Sequence, residues 1–409
     1  MGLPVLPIFI FDTSILDQLP KNDQRVTFIH QQLESLNQTL ATKESSRLMT
    51  YYGSAIDVFE RLILEFEVKS VICNHDYEPY AKKRDETVSN WLASHGIEFK
   101  SYKDQVVFEK NEILKDDGKP YTVFTPYMKK WKSHFDLDLL HSNPSDSSNL
   151  GFVKIPPKPI LTLESMGFEV NEPMLPTLSL PSQDMLKGYK ENRDYPAKKA
   201  TSRLSVHLRF GTVSIRELVR LAVRHSESWW NELIWREFYM MILWHFPHVA
   251  ERSFKSAYDL IPWRNDTESF NRWCQGTTGY PLVDAGMRQL NETGFMHNRL
   301  RMVTASFLTK HLLIHWQWGE AYFAEKLLDF ELSSNNGGWQ WAAGSGCDAA
   351  PYFRVFNPEL QAKKFDPKAE YINTWVKEFG TLEYPQPIVD HKYARKRAID
   401  TYQEALRKH

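Results

Sequence analysis

Over the first third of the chain, short apolar runs alternate with longer segments whose apolar residues recur every three or four positions. Residues 5–12 (VLPIFIFD), 48–52 (LMTYY), 69–74 (KSVICN) and 96–108 (GIEFKSYKDQVVF) are rich in β-branched and aromatic residues, which predicts strands. Between them, 23–43, 55–67 and 79–95 have helical periodicity, and Ser54 can cap the second. Strands alternating with helices predict βαβ units and a parallel sheet, over residues 1–125. Residues 142–188 break the pattern with Pro144, Pro156, Pro157, Pro159, Pro173, Pro176 and Pro181 among many serines. A linker or long surface connection is expected there, within an interdomain stretch of 126–188.

From residue 189 the strand signals vanish. Helical periodicity predicts 202–224, 228–245, 281–292, 297–314, 319–329 and 359–378, an all-α domain with its own core. The C-terminal stretch from His391 is a basic helix with six Lys/Arg against two acids, most simply a solvated face.

Composition narrows the class. The 409 residues are 42% hydrophobic and 25% charged, which excludes wholesale disorder. No apolar run nears the roughly 18 residues of a membrane helix, so no membrane partner is expected. The N-terminus lacks a basic region and a small-residue cleavage site, so no signal peptide is expected. Cys73, Cys274 and Cys347 cannot make a disulfide framework and lack zinc-ligand spacing, which points to a reducing compartment, the cytoplasm. A net charge of −1 removes any overall positive field and leaves only local basic surface for nucleic acid. Of the 13 tryptophans, eleven fall between Trp229 and Trp375, so the two ends of the chain differ in task. No oligomer seam is evident, and a monomer is expected.

Three common motifs fall away. GSGCDA (344–349) has no preceding strand, so a dinucleotide fingerprint is not expected. No phosphate-binding G-x-x-x-x-G-K-S/T occurs, and His311 and His315 lack the glutamate of a zinc helix. Thr201, Ser202, Arg203, Leu204 and Ser205 open a helix and would suit a phosphate, although a plain N-cap is the simpler reading. Glu232, Trp235, Arg236 and Tyr239 share one helical face, which suits a cavity that stacks one ring and hydrogen-bonds another. A half-buried core-edge tryptophan beside surface charges is the alternative. Asn298, Arg301, Met302 and Ala305 form a second face, and Asp329 can pair with Arg301. Asn335-Asn336-Gly337-Gly338 reads as a helix stop, followed by Trp339 and Trp341. Gly-rich backbone beside aromatics would admit a flat ligand, or those tryptophans are core.

WREFY (235–239), GYPLVDAGMRQL (279–290), MHNRLRMVTASFL (296–308), SNNGGWQWAAGSGCDAAPYFRVFNP (334–358) and YPQPIVDHKYAR (384–395) carry a further signal. They resemble the DNA photolyase/cryptochrome family, most of all class I cyclobutane pyrimidine dimer photolyases of bacteria. The resemblance implies a Rossmann-like α/β antenna domain over 1–125, a linker over 126–188 and a helical FAD-binding catalytic domain over 189–409. It implies that Tyr189 and the 201–205 run hold the FAD diphosphate side, and that Arg236 and Asn298 line the flavin cavity. Arg301 and Asp329 would pair beside the flavin ring, within a cofactor-binding run that includes Phe330 and Glu331. Asn335 would stand near flavin N5, where an amide can both donate and accept.

The implied substrate is a pyrimidine dimer flipped out of DNA. Trp235 and Trp341 would stack on it, Glu232 would hydrogen-bond the thymine edge, Asn298 and Met302 would contact it, and Arg299 would contact the DNA. The implied reaction is blue-light-driven electron transfer from reduced FAD to the dimer, ring cleavage and electron return, the work of a carbon–carbon lyase. Trp339, Trp316 and Trp263 match the family's electron relay. Asn298 and Met302 stand where six-four enzymes carry histidines, and Asn335 where many cryptochromes carry Asp or Cys.

Three departures from the family pattern stand out. The chain begins where the family's second strand would be, so its central first strand is apparently missing and the sheet is expected to be opened. Tyr80-Ala81 replaces an Asn-Glu pair of folate binders, which argues against a folate antenna and leaves a deazaflavin, a flavin or none. Glu331 stands where Asp is usual. Two rivals to repair are a cryptochrome-like blue-light sensor and a catalytically silent fragment.

Overall fold

The computed structural model describes residues 2–140, 151–170 and 175–407. Pro144 and Pro173 of the Pro-rich stretch lie outside the described residues. The chain forms two compact units. One comprises Met1–Gln105, Leu137–Thr177 and Phe210–Arg216; the other comprises Val106–Asp136, Leu178–Arg209 and Glu217–His409.

The first unit is α/β. Its strands are β1 (Ile8–Asp12), β2 (Met49–Gly53), β3 (Ser70–Asn74) and β4 (Glu98–Tyr102), separated by α1 (Gln24–Glu44), α2 (Ala55–Glu65) and α3 (Pro79–Ser94). Ser54 caps α2 by accepting the Asp57 N–H at 3.3 Å. β1 pairs in parallel with β2, and β3 in parallel with β4, as two separate two-stranded sheets. Val58, Phe59 and Leu62 of α2 form one core with Val88 and Leu92 of α3, and Ile10, Val71 and Phe99 pack against it. A second core joins Phe11, Val26 and Leu33 to Ile160, Leu163, Met166 and Phe168. The stretch expected to be a linker therefore lends four apolar side chains to a core.

The second unit is helical. It contains α4 (Phe124–His134), α5 (Tyr189–Asn192), α6 (Ser205–Arg209), α7 (Glu227–His245), α8 (Pro281–Thr293), α9 (Asn298–Ser306), α10 (Trp316–Lys326), α11 (Leu332–Ala343) and α12 (His391–Arg407). Its core gathers Trp273, Met287, Leu300, Phe307, Trp316, Phe323 and Trp339. The expected strand over 96–108 stops at Tyr102, because the next apolar run belongs here. The buried Glu237 carboxylate accepts the N–H of Val107 (2.5 Å), the N–H of Phe108 (3.3 Å) and the indole N–H of Trp131 (2.6 Å). That anchor, rather than a break at residue 125, defines which segment packs with the helices.

Several expected helices are divided. The 202–224 helix breaks at Gly211, whose φ of +68° is left-handed, into α6 and Ile215–His225. The 297–314 helix gives way after Ser306 to a π turn over Phe307–Leu312. The 359–378 helix splits into Pro358–Phe365 and Glu370–Trp375, with Pro367 and a left-handed Ala369 between them. The expected 319–329 helix is shifted back to Trp316–Lys326, where His315 caps it by accepting the Gln317 N–H at 3.2 Å. Among the described residues no helix is long and apolar enough to cross a membrane, and no cluster of three or more His, Cys, Asp or Glu could hold a metal ion. All three cysteines are free.

Candidate active site

One cavity of about 540 Å³ in the helical unit collects most of the residues marked by sequence. Its wall includes Tyr189, Thr201, Ser202, Arg203, Leu204, Ser205, Glu232, Trp235, Arg236, Asn298, Arg301, Met302, Asp329, Phe330, Glu331, Asn335, Trp339 and Trp341. Arg299, Trp316 and Trp263 are not among the lining residues.

Helical spacing makes one side of the cavity. Glu232, Trp235, Arg236 and Tyr239 form a stripe along α7. Phe124 stacks on Trp235 at 3.7 Å and 8°, covering one indole face. The Glu232 carboxylate pairs with the Arg193 guanidinium, which also lies 5.3 Å from the centre of the Tyr189 ring. Arg193 was not marked by sequence. Its place four residues after Tyr189 was the available signal.

The start of α9 lines the same cavity. His297 caps it by accepting the Arg299 N–H at 3.1 Å, and burial pushes its imidazole down to about 4, so it is neutral at pH 7. Arg301 donates from Nε to the Met296 carbonyl (2.9 Å) and from one terminal nitrogen to both Asp329 oxygens (3.0 and 2.7 Å). The expected ion pair is therefore formed in the cavity wall. Arg299, expected to contact the DNA, pairs in the free protein with Asp194 at 2.9 Å and lies over Phe365.

Three further expectations change. The 201–205 run is a loop that turns through a left-handed Arg203 (φ +53°), and the helix opens only at Ser205. Asn335-Asn336-Gly337-Gly338 lies inside α11, and Gly344 (φ +92°) ends that helix. The reason is tertiary: a Cβ on Gly337 would come within 2.2 Å of the Tyr239 ring, and one on Gly338 would meet nothing within 4 Å. Glu331 is the N-cap of α11. Its carboxylate accepts the Ser333 and Ser334 N–H groups (2.8 and 2.9 Å) and the Ser333 hydroxyl (2.7 Å), the capping role that an Asp there would also fill.

Asn335 donates its amide to the Glu320 carbonyl at 3.1 Å, which leaves its own carbonyl oxygen for the cavity. Trp339 lines the cavity and packs against α10, where a Cβ on Gly319 would come within 2.1 Å of its ring. Trp316, three residues before Gly319, is fully buried. Trp263 is half-buried, with its ring 5.3 Å from His315, which is 5.8 Å from Trp316. Trp339 and Trp316 are thus both buried, and Trp263 alone of the three is partly exposed.

The wall fits a large flat group that carries phosphate. It offers loop hydroxyls at 201–205, a glycine without a neighbour at 338, and an ion pair beside an amide oxygen. Among the described residues, the buried Trp339 indole nitrogen has no hydrogen-bond partner. The volume suits a cofactor-sized ligand.

Glu320 of α10 stands behind this wall, its carboxylate accepting the Asn336 amide at 3.1 Å. Burial pushes its carboxyl up to about 7. The folded-state value exceeds the unfolded one of about 4.3, so the folded protein holds a proton that the unfolded chain releases. Its contribution to stability is therefore full below about pH 4.3 and lost as pH rises through about 7. Glu320→Gln is expected to match the parent at about pH 4 and to exceed it by up to about 3 kcal/mol at about pH 8, by urea unfolding.

Comparison with known proteins agrees with the cavity. Residues 229–383 match the family model for the FAD binding domain of DNA photolyase, and residues 1–146 match that for DNA photolyase. A deoxyribodipyrimidine photo-lyase of Agrobacterium fabrum is 36% identical over 98% of this chain and 92% of its own. A bacterial class III photolyase structure from Agrobacterium tumefaciens superposes with a TM-score of 0.85 at 34% identity, covering 99% of this chain and 93% of that one. An archaeal photolyase structure from Sulfolobus tokodaii, described with two FAD molecules, gives 0.83 at 32% identity over 98% and 94%. These similarities carry the family rather than the class within it. With an FAD-type cavity in its helical unit and such likeness over nearly its whole length, the chain belongs to the DNA photolyase family.

Proposed function

We propose that the chain is a deoxyribodipyrimidine photo-lyase, which reverses cyclobutane pyrimidine dimers in DNA under blue light. The observation that carries this reading is that one cavity joins Arg301, Asp329 and Asn335 to Glu232, Trp235, Met302 and Trp341. FAD would be held by Tyr189, the 201–205 loop, Arg236, Asn298 and the 329–335 run. When bound and reduced, it supplies the electron that opens the dimer and takes that electron back.

The protein's own work is binding and electrostatics. The exposed face of Trp235 and Trp341 offer apolar walls for an extruded dimer, which costs a few kcal/mol to flip and less because the damaged pair is already weakened. Glu232 accepts a hydrogen bond from the pyrimidine edge. The Asn335 carbonyl oxygen would accept a hydrogen bond from an N–H of the reduced flavin. The Arg301–Asp329 pair adds polar groups to the cavity wall and no net charge of its own. Trp339, Trp316 and Trp263 would pass electrons inward to reduce the cofactor.

Repair is favoured over sensing because the relatives at 34–36% identity are described as photolyases. Tyr80 is engaged with Asp12 at 2.5 Å, in keeping with an antenna other than folate: a deazaflavin, a flavin or none. A cytoplasmic monomer completes the reading.

Lesion binding tests it. The protein is expected to prefer a duplex with one thymine dimer over the undamaged duplex. Trp235→Ala should narrow that preference by about 1–3 kcal/mol, the worth of one stacked base. An unchanged preference would take Trp235 out of the site.

A further inference from the structure

Two ion pairs sit side by side next to the cavity. Arg193 pairs with Glu232, and the next residue, Asp194, pairs with Arg299 at 2.9 Å. Both guanidinium groups are largely covered, with side-chain exposures of 22% and 15%. Arg193 and Glu232 line the cavity, and Arg299 follows the lining residue Asn298. The four charges cancel. A carboxylate at a guanidinium occupies the place that a phosphate oxygen would take, because both present paired oxygens to the same planar donors.

We propose that Asp194 is a specificity-determining residue: it acts as an internal phosphate mimic that withholds Arg299 from undamaged DNA. The Glu232–Arg193 pair is its counterpart on the cavity side. This rests on the proposed DNA-repair reading. An undamaged duplex offers only backbone phosphates and has nothing to compensate the carboxylate it would displace, so Arg299 stays with Asp194. A dimer entering the cavity takes the Glu232 carboxylate for its pyrimidine edge. Arg193 and Arg299 then turn to the phosphates that flank the extruded nucleotides. The exchange is one of hydrogen bonds and counterions alone, with no covalent step. It keeps a chain of net charge −1 from spending two arginines on every duplex it meets.

The test is the salt dependence of DNA binding by Asp194→Asn, in the FAD-loaded protein. Each phosphate neutralised adds about 0.9 to the slope of log affinity against log salt. Asp194→Asn is expected to bind undamaged duplex about 3- to 10-fold tighter at low salt, with a slope steeper by about 0.9. For the dimer-bearing duplex the slope should stay at its parental value, since Arg299 already faces a phosphate there. The double variant Asp194→Asn/Arg299→Gln should return the undamaged slope to the parental one.

A misfolded variant would lose affinity and would not gain slope, so a structural role alone cannot give this result. An undamaged slope unmoved in Asp194→Asn, in a parent that prefers the dimer-bearing duplex, overturns this inference and leaves the repair reading standing. A steepening that persists without Arg299 also overturns it. A parent that binds neither duplex overturns both.

Discussion

An Asp329→Ala protein is expected to purify without its flavin. The Asp329 side chain is 3% exposed, and both its oxygens accept from Arg301. Its removal leaves a guanidinium in the cavity wall that keeps its bond to the Met296 carbonyl but has lost its counter-charge. Breaking one side of a buried pair costs about 3–5 kcal/mol, which as lost cofactor affinity is on the order of a hundred- to several-thousand-fold. Asp329→Asn keeps one acceptor oxygen and should fall between the parent and the alanine variant. Flavin absorbance after desalting reads the result directly. A yellow Asp329→Ala protein with parental flavin content would remove the pair from cofactor binding.

The second large effect is on folding. Glu237→Ala takes the acceptor from three donors at once: the Val107 and Phe108 N–H groups and the Trp131 indole. Burial pushes this carboxyl up, while the three hydrogen bonds pull it back down. Each buried donor left unpaired costs about 1–3 kcal/mol, and a cavity adds to that. A loss of about 4 kcal/mol or more is expected, a large share of the roughly 5–15 kcal/mol that holds a domain. Urea unfolding of the flavin-free protein should register it, with earlier proteolytic cleavage inside 106–136. Glu237→Gln keeps one acceptor and should cost less. An alanine variant within about 1 kcal/mol of the parent would mean that this anchor does not hold the segment.

The cavity was legible where a local pattern and a motif agreed. The stripe Glu232, Trp235, Arg236 and Tyr239 follows from helical spacing alone, and the Arg301–Asp329 pair from opposite charges on a motif. What sequence missed was set by partners distant in the chain. Val106 and Val107 look like the end of a strand, because an apolar run reads alike whether a sheet or a buried carboxylate takes its N–H groups. Two consecutive glycines read as a helix stop, yet the Tyr239 ring requires Gly337 inside α11. The Pro-rich stretch lacks periodicity, so nothing local marked Leu163 or Phe168 as core. The pairing of Arg299 with Asp194 was invisible because Asp194 lies 105 positions earlier in the sequence. The division into two two-stranded sheets agrees with the opened sheet that the departures from the family pattern led one to expect.

The most direct measurement of the central claim is repair of a thymine dimer in an oligonucleotide by FAD-loaded, pre-reduced protein, run in parallel in blue light and in the dark. The account predicts restored thymines in the light and none in the dark, with repair lost in the Asp329→Ala protein that no longer holds FAD. A yellow, FAD-retaining protein that leaves the dimer intact under blue light would contradict it.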